Sequence, residues 1–170
     1  MNRILATLFS LVIVAGAFAP AGAAQLGAGL RFLHSVDDFE NVEDVSKDDF
    51  SVFGTLTFPI ALLKVEGNVE WIPDYLGSDR DLINPAAYGL LPIGPIYGGV
   101  GIGVGYLTGD GGGWASNPFY ALRAGIEFGL GGLALDAFGS YQFQSASFLD
   151  GASNADLDAV TLALQIKFGG

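Results

Sequence analysis

Read at a spacing of two, the chain after residue 24 separates into alternating apolar and polar positions over most of its length. The stretch 63–71 shows this most plainly: Leu63, Val65, Val69 and Trp71 share one parity, and Lys64, Glu66, Asn68 and Glu70 share the other. Successive side chains of a strand point to opposite faces, so this period predicts a β-strand with one apolar and one polar side. The same reasoning predicts eight strands, at about 25–34, 49–58, 62–71, 86–91, 96–107, 118–130, 133–143 and 160–168. In the first, Leu26, Ala28, Leu30 and Phe32 oppose Gly27, Gly29 and Arg31; in the last, Val160, Leu162, Leu164, Ile166 and Phe168 oppose Thr161, Ala163, Gln165 and Lys167. Alternation is blurred in the fourth. There Tyr88 and Leu90 are expected to share the outward face, and Leu82 and Ile83 extend the strand around a bulge.

The fifth strand carries a glycine ladder. Ile96, Val100, Ile102, Val104 and Tyr106 lie on one parity, and Gly99, Gly101, Gly103 and Gly105 on the other. A bare face suits a curved wall whose inner side is crowded. The apolar parity is expected to meet lipid, and the glycines to make room for Arg, Glu and aromatic groups of a packed polar interior. A dinucleotide site is not implied: the spacing is a strict two, with no helix following.

Connections alternate in length. They are short at 59–61, 92–95 and 130–132, and long at 35–48, 72–85, 108–117 and 145–156, with 110–117 read as a flexible link. A soluble sandwich has no reason to segregate its loops in this way, whereas a transmembrane barrel has short turns at one end and long loops at the other. The fold class implied is all-β, an eight-stranded antiparallel up-and-down transmembrane β-barrel.

Composition sharpens this reading. The hydrophobic fraction is 51%, and there are 26 Gly and 13 Phe, yet after residue 24 no charge-free apolar run is long enough for a spanning helix. Before it, Asn2 and Arg3 precede the apolar stretch 4–18 and the small-residue exit 19–24. That is the form of a cleaved secretory signal peptide, residues 1–23, leaving 24–170 as one barrel domain. Cysteine is absent, so no disulfide can form. Without Arg3, six basic residues face eighteen acidic ones, a formal balance of −12, which argues against nucleic acid as a partner.

The whole of 24–170 resembles the small eight-stranded outer-membrane barrels of Gram-negative bacteria, the group containing the OmpA transmembrane domain, OmpX and opacity-like proteins. The stretch 160–168, ending in Phe168 before Gly169 and Gly170, is similar to the family's terminal strand. The resemblance implies a place in the outer membrane of the cell envelope, recognition by the outer-membrane assembly machinery, and contact with lipid and lipopolysaccharide. A monomer is expected.

If the apolar parity faces lipid, Arg31, Lys64, Glu66, Glu70, Arg123, Glu127, Asp136 and Lys167 point inward, with Gln142 and Gln165. A barrel of this size has an interior just wide enough to fill with side chains, and charges there must pair. A polar network closing the lumen is expected, with a narrow channel or small-molecule carrier as the alternative. The single histidine, His34, lies beside Ser35. Adjacent strand residues point apart, so the two make no nucleophilic dyad, and neither a lipid-modifying enzyme nor a cofactor is expected. Asp37, Asp38, Glu40, Glu43, Asp44 and Asp48 form an acidic outer loop. It lacks the spacing of a calcium-binding loop and reads as a solvated loop, with loose association of divalent cations as the alternative.

Overall fold

The computed structural model describes residues 24–35, 48–75, 80–108, 114–143 and 158–169. The expected signal peptide and acidic residues 37–44 lie outside them. Eight strands follow in order: β1 (Gln25–Ser35), β2 (Asp48–Ile60), β3 (Leu63–Ile72), β4 (Asp81–Ile93), β5 (Ile96–Thr108), β6 (Trp114–Gly129), β7 (Leu133–Phe143) and β8 (Ala159–Phe168). Each pairs antiparallel with its sequence neighbour, and β1 closes on β8 with Leu30 opposite Leu164. Closure leaves no unpaired strand edge.

One end of the barrel is made of two-residue turns, the preferred connection for right-twisted hairpins. Ala61–Leu62 joins Ile60 to Leu63, and Gly94–Pro95 joins Ile93 to Ile96. At the third turn Leu130 and Leu133 are bonded across Gly131 and Gly132, both with positive φ. Positive φ is also found at Gly94, and at Ala61, where it is 53°. The first turn thus falls at 61–62 rather than 59–61, with Pro59 and Ile60 completing β2.

Burial alternates along the strands, most regularly in β8, where every second residue from Ala159 to Lys167 is buried. The outward parity is aliphatic and aromatic, with Leu30, Leu122, Leu164 and Phe50 well exposed. Several positions depart from the sequence pattern. Tyr88 and Leu90 point inward, 2% and 1% exposed, and β4 runs thirteen residues from Asp81 in unbroken register with β5. The irregularity lies instead between β5 and β6, where pairing shifts between Val104 and Tyr106. β6 begins at Trp114, inside the stretch expected to be a link. Val104 is not presented to the surroundings: it is fully covered, packed with Ala87, Ile102 and Tyr106.

The glycine ladder faces rings and a leucine rather than charges. A Cβ on Gly101 would lie 2.4 Å from the Tyr88 ring, one on Gly103 2.3 Å from Phe119, and one on Gly99 2.7 Å from Leu90 Cδ2. Tyr88 and Leu90 turn inward because the bare face of β5 leaves them the room. With Phe53, Tyr97, Phe119 and Phe138 they form an aromatic inner core.

Candidate functional site: an ionic interior

Alternation brings all eight expected ionisable residues to the inner face, and strand register decides their partners. β1, β2 and β3 build the first group. Arg31 Nη1 donates to Glu70 Oε2 at 2.6 Å, with both side chains 1% exposed. Ser51 on β2 donates to the other oxygen of Glu70. The Arg31 guanidinium stacks over Phe53 and Phe138, at 4.9 and 5.6 Å from the ring centroids.

The second group is larger and centres on Arg123 of β6. Its Nη1 reaches Glu66 Oε1 at 2.6 Å and its Nη2 reaches Asp136 Oδ2 at 3.3 Å. Nε and Nη2 also donate to the Tyr97 hydroxyl, which donates to Asp136 at 2.8 Å. Lys167 of β8 lies 3.1 Å from Glu66, 3.0 Å from Asp136 and 3.1 Å from Glu127, and Glu127 also takes Lys64 at 2.6 Å. Thr57 donates to Glu66, and Gln165 to Asp136. Phe138 separates the two groups, with Arg123 stacked 3.4 Å above its centroid.

These eight side chains supply four positive and four negative charges, so the interior is formally neutral. Buried ions are tolerable only when each carboxylate is paired and its remaining lone pairs are hydrogen-bonded. Tyr97, Ser51 and Thr57 meet that second need, and Thr55 donates to Gln165, although these four were not picked out from the sequence as network members. For Tyr97 the signal existed: it shares the parity of Gly99 to Gly105.

At the loop end an apolar layer of Leu33, Ile72, Leu82 and Ala159 lies above the Arg31–Glu70 pair. Tyr75, from the connection after β3, packs against it with Leu107. Burial, with the carboxylates of Asp49 and Glu70 nearby, pushes the Tyr75 phenol up to about 12. The connection is held by Asp81, which accepts from Trp71 Nε1 at 3.1 Å and from the backbone of Asp74.

His34 and Ser35 point to opposite faces. His34 is exposed and bonded to Asp48 at 2.7 Å, whereas Ser35 is buried inside. Asp48 is the first residue of β2. Among the described residues no cluster of metal-binding side chains occurs. On the outer wall a groove of about 1160 Å³ runs over β6, β7, β8 and β1, where Ala124, Ala137 and Gly139 lie beside Leu162 and Leu164.

An apolar exterior, a neutral ionic interior and unbroken closure define an eight-stranded antiparallel barrel with its polarity turned inward. No known family model and no curated protein sequence matches the chain. Solved structures do. The crystal structure of Neisserial surface protein A aligns with a TM-score of 0.64 at 13% identity, covering 87% of this chain and 97% of that one. The N-terminal β-barrel domain of Pseudomonas aeruginosa OprF gives 0.49 at 10% identity, covering 88% and 99%. At 13% identity the likeness to the Neisserial protein is one of fold.

Proposed function

We propose that the chain is an integral barrel of the bacterial outer membrane, exported through its N-terminal segment, with a structural or surface-interaction role and a lumen closed by the ionic network. The carrying observation is the inversion of polarity: Leu30 and Leu164 are 65% and 68% exposed on the wall, while Arg31, Glu66, Arg123 and Lys167 are buried within it. In water this arrangement would leave a continuous apolar surface far larger than soluble monomers expose. In lipid it satisfies every strand, because a closed barrel leaves no unpaired backbone edge. Lipid and lipopolysaccharide are the partners this wall fits, with divalent cations only loosely held at the acidic end and the outer-membrane assembly machinery acting during insertion.

The narrow-channel reading draws on one feature, the partly exposed Lys64–Glu127 pair near the turn end. Two measurements test the proposal. The protein from residue 24 should need detergent or lipid to stay folded and monodisperse; a stable folded monomer in plain buffer would overturn the membrane assignment. In planar bilayers it should pass no steady current, and reproducible single-channel steps would overturn lumen closure.

A further inference from the structure

We infer that Gln165 bolts the seam where the last strand meets the first. By tying β2 to β7 across the bare inner face of β1, its amide makes this seam as slow to open as the pairs of consecutive strands. The inference goes beyond the membrane reading and holds in whatever medium surrounds the wall.

Without such a tie the seam is where the sheet would part first. The other seven pairs join consecutive strands, so a connection keeps the partners together. β1 and β8 lack that tether, although they pair from Leu26–Phe168 to Ser35–Ala159. Once apart, they meet again only against the closure entropy of a very long loop.

The inner face of β1 is cut away beside the seam. A Cβ on Gly27 would lie 2.3 Å from Thr55 Oγ1 and 2.7 Å from Gln165 Oε1, and one on Gly29 would lie 2.7 Å from Gln165 Cβ. Side chains from the strands on either side of β1 therefore meet over its backbone. Thr55 of β2 donates to Gln165 Oε1 at 2.9 Å, and Gln165 Nε2 donates to Asp136 Oδ2 of β7 at 2.7 Å. Gln165 is 3% exposed, so water does not compete for either bond, and the one to the carboxylate is charge-assisted. Parting β8 from β1 must break the Thr55 bond as well as the backbone ladder, and the Asp136 bond holds the amide in place to make it.

A second tie crosses the same seam at the turn end. Gly169 N donates to Gly132 O at 3.2 Å, and Gly169 O accepts from Gln25 Nε2 at 3.3 Å. The φ of Gly169 is 92°, and a Cβ there would lie 2.7 Å from Ala24 O. Glycine alone passes so close to the start of β1 with that backbone.

Local opening is read by hydrogen–deuterium exchange, followed peptide by peptide in detergent micelles. In the protein from residue 24, the amides of β1 and β8 should exchange no faster than those of β4 and β5. Gln165→Leu should speed β1 and β8 by about tenfold, the worth of one buried hydrogen bond, and leave β4 and β5 unchanged. If that variant does not fold, Thr55→Val removes only the β2 end of the tie at nearly constant shape, and should speed the same two strands several-fold. A seam that already exchanges faster than β4 and β5 in the parent would overturn the inference. So would an acceleration shared equally by β4 and β5, which marks a general loss of stability, or no acceleration at all.

Discussion

The pair Arg31–Glu70 offers the sharpest test of how the interior is held. Its atoms lie 2.6 Å apart with both side chains 1% exposed, and among the described residues Glu70 has no other cation bonded to it. Two unit charges about 4 Å apart attract by about 4 kcal/mol at an effective dielectric constant of 20. Removing one partner of a buried pair leaves the other uncompensated, which costs about 3–5 kcal/mol. Arg31→Met and Glu70→Gln should each destabilise the barrel by about that much. The double variant leaves no orphaned charge, so it should cost at least about 2 kcal/mol less than the sum of the singles. The assay is urea unfolding in phospholipid vesicles, followed by the fluorescence of Trp71 and Trp114. Single-variant costs that add to within about 0.5 kcal/mol, or that stay below about 1 kcal/mol each, would refute the reasoning, because the pair would then not act as one unit.

Other consequences follow from the wall and its turns. Gly101→Ala places a methyl group against the Tyr88 ring and should cost about 1–3 kcal/mol in the same assay, whereas Gly89→Ala meets no atom within 4 Å and should stay within about 0.5 kcal/mol of the parent. Ala61→Gly relieves a residue held at φ 53° and should stabilise by roughly 0.5 kcal/mol, the left-handed penalty less the extra chain entropy of glycine. Tyr75 keeps its proton in the folded barrel up to about pH 12, while the unfolded phenol loses it near 10. Its raised value therefore contributes stability below pH 10 that is lost as pH rises toward 12. Tyr75→Phe should flatten that loss in unfolding curves taken across the interval.

Strand existence was legible wherever both faces had a clear character. β3 and β8 alternate large apolar with polar side chains, and their register follows the pattern residue by residue. β4 was not legible, because Pro85, Ala86, Ala87 and Gly89 blur both parities and the inward residues Tyr88 and Leu90 are themselves hydrophobic. What turns them inward is the bare face of β5, a property of the neighbouring strand. The beginning of β6 was hidden by the polar Ser116 and Asn117 and by the register shift beside them. Within the site, parity alone puts the eight ionisable residues on one side. It cannot say that Glu66 takes Arg123 and Lys167 while Glu70 takes Arg31, since that depends on the stagger of strands far apart in sequence.

The cross-links at Lys167 bear on how such a barrel is completed. This lysine sits on the last strand, yet it neutralises Glu66 on the third, Glu127 on the sixth and Asp136 on the seventh. Until β8 docks between β7 and β1, a nascent sheet carries these carboxylates without one of their counter-charges, facing a lumen not yet sealed from its surroundings. An unpaired carboxylate resists transfer into hydrocarbon by several kilocalories. On the membrane reading proposed above, partly assembled sheets would thereby be held back from the bilayer interior, and zipping the last strand to the first would remove the obstacle in one event. In that setting closure and membrane entry would form a single cooperative step, with contacts between the first and last strands acting as its latch.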